Sequence, residues 1–250
     1  MQEEKTNQGT QTILGLKDEA VKEMFVKGVH WGHRTSRWHP NIKPFLYGAH
    51  HNVHVFDLNK TYDYFERALS YLREMASEGK IILFVGTRGL EKEIVKTLAQ
   101  ELESPFVCEA WVGGTFTNFK EMLKRIKYFR DAEIRVQLGE SEKYTKKERN
   151  DFYKEYIRMG KKWQGLKNLD KLPDVIFLTD IKENALAVKE ARQVGIPTVA
   201  ITDSNTDPTL VDFPIPANDD AITSIQYMLG KVKEAILAGR VKHATIKTND

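Results

Sequence analysis

Ile81-Ile82-Leu83-Phe84-Val85 is a continuous apolar run of strand length, and it leads directly into Gly86-Thr87-Arg88-Gly89. A strand that is apolar at every residue has no water-facing side, which predicts a parallel sheet covered on both faces. A helical pattern follows the turn through Leu102. Upstream, Thr61 to Ser77 carries Tyr64, Phe65, Ala68, Leu69 and Leu72 at helical spacing, with Gly79 as its C′ residue. Downstream, Pro105 to Cys108 reads as a second short strand ending at the turn signal Gly113-Gly114.

From Asn118 to Leu169 the pattern changes. Lys and Arg alternate with Met122, Ile126, Phe129 and later Tyr156, Met159 and Trp163, which predicts two helices joined near Gly139 to Thr145. Each has one narrow apolar stripe, so they are expected to pack on each other and project as an antiparallel, coiled-coil pair. After Leu172-Pro173 the α/β rhythm resumes with strand Val175 to Thr179, helix Glu183 to Val194 and strand Thr198 to Ile201. Pro214 and Pro216 confine their segment to a sheet edge. Asn218 or Asp219 caps a last helix, Ala221 to Ala238, and Lys242 to Asp250 is polar and expected to fray. The whole predicts a doubly wound parallel sheet, three-layer α/β/α and flavodoxin- or Rossmann-like, with one inserted helical pair. The expected divisions are 1–117, an insertion at 118–171, a second α/β part at 172–240 and a flexible tail at 241–250.

Near the N-terminus, Lys17 to Lys27 has the spacing of a short amphipathic helix ended by Gly28, and Val53 to Leu58 reads as a strand. Between them, Val29 to His51 shows no sustained period and is long for a loop in a compact domain, so it is suspected of function. The polar, Glu-bearing N-terminus and the lack of eighteen consecutive apolar residues predict no signal peptide, no membrane partner and a cytoplasmic protein. The single cysteine, Cys108, excludes an internal disulfide and a multi-Cys zinc site, and its apolar neighbours make it a core thiol.

A net charge of +3 is too small to identify a nucleic-acid partner, but its distribution is uneven. Residues 115–172 hold 16 Lys and Arg against 9 acids, while both flanks are net negative. Basic groups also gather in the aromatic loop, where Arg34, Arg37 and Lys43 can pair phosphates and Trp38 and His39 offer planar faces for bases. That mixture suits irregular RNA. Lys120 and Lys124 extend the basic surface along the insertion. Alternatively, Trp31 and Trp38 are core residues and the charges are merely solvated.

Other chemistry is less well supported. The Gly86 turn lacks the third glycine of a dinucleotide fingerprint and the Gly-Lys-Ser/Thr of a P-loop, so Arg88 reads as solvated or as meeting an RNA phosphate. His30 and His33 have ligand-like spacing within a cluster reaching His54, yet the cations among them oppose a metal. Asp203, Asp207, Asp212, Asp219 and Asp220 follow the last central strand, where doubly wound enzymes keep their sites. A nucleotide- or magnesium-dependent enzyme using this edge is the alternative reading. No Lys, Arg or His lies among these aspartates in sequence, and turn and cap roles account for them. No Gly-x-Ser-x-Gly elbow occurs. Neither a cofactor nor a metal is expected.

The segments Gly28-Val29-His30-Trp31-Gly32-His33-Arg34-Thr35, Lys43-Pro44-Phe45, Trp111-Val112-Gly113-Gly114-Thr115-Phe116-Thr117-Asn118-Phe119, Asp203-Ser204-Asn205-Thr206-Asp207-Pro208 and Asn218-Asp219-Asp220-Ala221-Ile222 resemble, in order, the family of the bacterial small-subunit ribosomal protein number two. The resemblance covers residues 17–238. It implies a non-enzymatic constituent of the small subunit with an α/β/α domain and a coiled-coil pair, bound to ribosomal RNA between head and body. It further implies neighbouring ribosomal proteins as partners, with docking of ribosomal protein number one. By resemblance alone, Trp111, Thr115 and Asn118 join the RNA-binding set. The chain departs from the family at Ala110, where an Arg is usual, at Gly86-Thr87-Arg88-Gly89, which has one cation where two are common, and at His50, where Arg is frequent.

Overall fold

The computed structural model describes residues 17–89, 91–139 and 145–247. The polar N-terminal stretch, most of the expected link between the two basic helices and the last three residues of the expected tail lie outside these. Five strands, β4 (Ile82–Val85), β5 (Phe106–Val107), β6 (Val175–Leu178), β7 (Thr198–Thr202) and β8 (Phe213–Pro216), form one parallel sheet in the order β5-β4-β6-β7-β8. Counted among themselves they run 2-1-3-4-5, the flavodoxin-like arrangement. The edge position of β8 explains its two prolines, because an outer strand can lack N–H donors on its open side.

Period-two alternation divides the strands between two apolar layers. Ile82, Phe84, Val175, Phe177, Val199 and Ile201 face helices α1 (17–26), α2 (Leu58–Ser77), α3 (Glu91–Glu101) and α7 (Ile222–Lys247). Leu83, Val85, Ile176, Leu178 and Ala200 face α4 (Phe119–Gln137), α5 (Lys146–Trp163) and α6 (Ala185–Val194). The two basic helices pack together, with the Phe129 ring stacked on Tyr156 at 5.7 Å. Their attachment differs from the expectation of a free pair. Met122, Ile126 and Phe129 of α4 are buried in the same cluster as Leu83 and Val85, so this stripe also docks the helix on the sheet.

Val29 to His51, expected to be a loop, contains β1 (Trp31–Arg34), a 3-10 turn at Pro40–Phe45 and β2 (Leu46–His50). With β3 (Val53–Phe56) these strands make an antiparallel sheet ordered β1-β3-β2. Strands this short show no readable period. The signal available was the turn: His51 and Asn52 both adopt positive φ, 47° and 61°, as a two-residue type I′ hairpin requires. Gly32 lets this sheet approach the main domain, since a Cβ there would stand 2.8 Å from Ser204 Oγ.

The last helix extends to Lys247, nine residues beyond the predicted end, and His243 Nδ1 lies 2.8 Å from the Ser77 carbonyl oxygen. Its contact with α2 is close at Gly239, where a Cβ would meet the Arg73 carbonyl at 2.3 Å and Ala76 Cβ at 2.8 Å. Gly230, on the same helix, has nothing within 4 Å of that position. Alanine favours a helix over glycine by about 1 kcal/mol, so the two sites should respond oppositely. Gly230→Ala is expected to stabilise by about 0.5–1 kcal/mol, and Gly239→Ala to destabilise by about 1–3 kcal/mol. Urea denaturation of both variants measures the difference.

Candidate nucleic-acid interface

Because all five strands are parallel, the turns after β4, β5, β6 and β7 emerge at one edge of the sheet. Contacts join them into a continuous surface. Thr87 Oγ1 bonds Asn184 Oδ1 at 3.0 Å, behind β4 and β6. The small sheet is tied to the same edge, where Ser204 Oγ accepts from His33 N at 2.7 Å and the Ser204 carbonyl accepts from His39 N at 2.8 Å. Residues 34–43, Arg88 and 111–118, read separately from sequence, therefore share one edge, and α4 with Lys120 and Lys124 departs from it.

Within the loop, Ile42 is fully buried and anchors the 3-10 turn, while Arg34, Arg37 and Lys43 are exposed and form no ion pair among the described residues. Trp31 and Trp38 are 39 % and 40 % exposed, so both lie at the surface. The Trp38 ring lies 5.3 Å from that of His54. His39 is more constrained than a free planar face. It caps the turn by accepting from Asn41 N at 3.3 Å, and its Nε2 lies 3.9 Å from Asp207. Lys120 is exposed, Lys124 pairs with Glu121 at 2.6 Å, and Asn118 is the exposed N-cap position of α4.

The loop after β5 is built around Glu190 of α6, which is only 4 % exposed. Its carboxylate accepts from Gly114 N at 2.7 Å, Phe116 N at 2.9 Å, Thr117 N at 3.2 Å and Trp111 Nε1 at 3.3 Å. Thr115 is buried and donates its hydroxyl to the Val112 carbonyl, so it shapes the loop from inside. Trp111 is likewise held by its indole N–H. Nothing in the local sequence around Trp111 indicated Glu190, which lies on another helix. Among the loop's side chains, Asn118 is the outward-facing member of the set taken from the resemblance.

Arg88 is balanced within the protein. Its guanidinium reaches Asp180 at 3.1 Å, Asp219 at 3.3 Å and Asp220. His33 enters the same group, with Nδ1 at 3.1 Å from Asp203 and Nε2 at 3.4 Å from Asp220. The aspartate-rich segment thus has a cation and an imidazole among its carboxylates, brought from residues 88 and 33, which the local sequence did not show. Hydrogen bonding to Asp203 leads the causes that raise the His33 pKa. Burial, then the charges of Asp203 and Asp180, push the Asp219 carboxyl well above its ordinary range. Burial also raises Glu91, whose Oε1 accepts from Arg88 N at 2.9 Å, to about 7. The remaining acids do keep turn and cap roles. Asp207 accepts from Thr209 N at 3.0 Å, Asp212 from Thr198 N at 2.8 Å, and Asn218 caps Asp220 N at 2.9 Å.

His30 and His33 do not converge on a metal. His30 is buried and stacks on Phe25 at 4.4 Å, while His33 turns toward Asp203. Cys108 is buried, and burial pushes its thiol up to about 12, which leaves it unreactive. Among the described residues no helix is long and apolar enough to cross a membrane.

A family described as ribosomal protein S2 matches residues 24–239. Proteins named small ribosomal subunit protein uS2 are similar over most of their length. That of Coprothermobacter proteolyticus is 40 % identical over 220 residues, covering 88 % of this chain and 82 % of its own. That of Helicobacter hepaticus is 41 % identical, covering 88 % and 83 %. That of Dictyoglomus thermophilum is 39 % identical over 233 residues, covering 92 % and 95 %.

The Glu190 geometry has a measurable consequence. Burial alone would raise this carboxyl, but the N–H donors outweigh it and hold the pKa below the ordinary range. The folded value is therefore lower than the unfolded one. The resulting stabilisation is present above the unfolded carboxylate value, about 4.3, and is lost as pH falls through the folded value. Glu190→Gln is expected to cost about 2–4 kcal/mol at pH 7 and less in acid. Urea titrations at pH 7 and in the acid limb test this; an equal cost at both would refute the charge-based account.

Proposed function

The chain belongs to the ribosomal protein S2 family, and on that premise we propose that it is a non-enzymatic constituent of the small ribosomal subunit that binds ribosomal RNA through the carboxyl edge of its sheet. The observation that carries this reading is the exposure of Arg34, Arg37 and Lys43, without acidic partners among the described residues, beside the half-exposed Trp38. Free cations neutralise phosphates and release their counterions, and the indole face stacks on an unpaired base. Asn118, Lys120 and Lys124 continue this surface toward α4 and α5, so the insertion at 118–171 serves as a basic arm along the RNA. The charge of Arg88 is already balanced by three aspartates, which makes it a brace beneath the surface more than a phosphate contact. Docking of ribosomal protein number one and contacts with neighbouring small-subunit proteins complete the assignment, as the family resemblance implies.

A ligand-binding enzyme of this topology uses the crevice where strand order reverses, here between β4 and β6. That position is closed by protein groups, with Thr87 on Asn184 and Arg88 on Asp180. This favours the scaffold over the enzyme reading.

Replacing Arg34, Arg37 and Lys43 together by Ala should leave the fold intact, since all three are exposed. The variant should be depleted from small subunits relative to wild type. In isolated rRNA binding the slope of log affinity against log salt should fall by about 2–3, near 0.7–0.9 for each phosphate no longer neutralised. Incorporation at wild-type stoichiometry with an unchanged slope would remove these residues from the interface.

A further inference from the structure

The small antiparallel sheet has a face that none of the contacts described above uses. Residues paired across neighbouring strands share a side of the sheet. The register pairs Trp31 and Gly48 with Val55, and Arg34 and His50 with Val53, so Trp31, Arg34 and His50 stand on one side over a floor of two valines. The other side carries the buried Phe56, and Gly32 lies against Ser204 there. Neither Asp nor Glu belongs to the outward group.

Rings run without a break from α1 to the hairpin tip. Phe25 stacks on His30 with centroids 4.4 Å apart and planes at 11°, His30 lies 4.7 Å from Trp31, Trp31 lies 6.3 Å from His50, and His50 lies 4.2 Å from His51. Phe25 is 60 % exposed, and Trp31, His50 and His51 are exposed as well, while the buried His30 fixes the Phe25 and Trp31 rings from between them. We propose that this ring ladder is a stacking platform for unpaired bases of ribosomal RNA, which lie against Trp31 and His50 while Arg34 holds their phosphate. The inference rests on the rRNA-binding reading above, to which Arg34 already belongs, and adds the surface on which bases are held.

Shape and charge select this occupant. Gly48 has nothing within 4 Å of where a Cβ would stand, so the sheet offers an open shelf beside Val55, across from the Trp31 indole. A base can lie flat there. The Val53 and Val55 rows are two residues apart on β3, about 7 Å, so a nucleotide seated at Trp31 keeps its backbone within reach of the Arg34 side chain. Paired bases hide their faces in the stack of the duplex, whereas unpaired ones present both a ring face and hydrogen-bonding edges. An apolar protein surface would cover the rings but leave the imidazole nitrogens and the Arg34 charge unmet. An unpaired RNA strand meets all three.

The test titrates the full chain with isolated small-subunit rRNA over a range of salt concentrations. Trp31→Leu should weaken binding by about 5- to 100-fold, the loss expected for one base stack. The slope of log affinity against log salt should stay at the wild-type value, because no charge is removed. Trp31→Phe should restore most of the affinity. His50→Ala changes an exposed side chain, so it leaves a folded chain to measure even if Trp31→Leu does not, and it should weaken binding in the same way by a smaller factor. Wild-type affinity in both Trp31→Leu and His50→Ala, with a reduced slope in the Arg34, Arg37 and Lys43 variant, would overturn the platform and leave the interface standing. An unchanged slope in that charge variant as well would remove both. Wild-type rRNA affinity combined with depletion of Trp31→Leu from assembled subunits would mean that a neighbouring protein covers this face, and would equally overturn the proposal.

Discussion

Every loop that matters in this protein is placed by one constraint: five parallel strands, apolar on both faces, must deliver their carboxyl ends to the same edge. Parallel pairing also requires a crossover between strands, so the ends of β4, β5, β6 and β8 lead through a loop into a helix that covers one side of the sheet, while β7 reaches β8 through the 3-10 turn at Pro208–Leu210. The apolar alternation of β4, β6 and β7 fixes which side chains enter which layer. Once that is set, residues 86–89, 108–118, 179–184 and 203–207 have no choice but to meet. The small antiparallel sheet then closes over this edge, with Asn218 donating to the Val29 and Gly28 carbonyls and Ser204 holding His33 and His39.

Gathering loops at one edge leaves many polar groups with little water. The protein satisfies them with buried carboxylates used as acceptors. Glu190 collects three backbone N–H groups and an indole N–H, organising a loop that has no regular structure of its own. Asp203 accepts from Ser204 and from Asp219 N, joining the turn after β7 to the approach of α7. A neutral residue in either place could not accept so many donors with comparable strength. The recognisable Trp-Val-Gly-Gly loop thus depends on a glutamate more than seventy residues away in sequence.

This explains which parts could be read from the sequence. The strands of the main sheet were legible because burial on both faces imposes continuous apolar runs, and the edge position of β8 was legible from Pro214 and Pro216. Helices with one buried stripe, such as α2 and α6, were legible for the same reason. The short strands β1 and β2 were not, because four or five mostly exposed residues carry no period. The exposure of Arg34, Arg37 and Lys43 fits phosphate-pairing and merely solvated charges equally, and the internal pairing of Arg88 and the inward turn of Thr115 do not follow from local pattern. Those arrangements depend on residues at 180, 219 and 220 and on the carbonyl of Val112, partners that only the folded chain identifies.

The same edge in a doubly wound enzyme is an open crevice whose loops donate to a substrate. Here the donors and acceptors at the corresponding position are directed at one another. Thr87 bonds Asn184, Arg88 bonds Asp180 and Asp219, and Glu190 takes the N–H groups of the loop after β5. This pairing braces the edge and turns these particular groups away from a small molecule. Among the described residues, what remains unpaired is the outer rim, with Arg34, Arg37 and Lys43 around a partly exposed indole. A platform whose crevice cation is held by aspartates and whose exposed cations lie on the rim is poorly suited to transforming a ligand. In this fold the crevice is filled by Arg88 and its aspartates, and the exposed cations of the small sheet lie beside it on the rim.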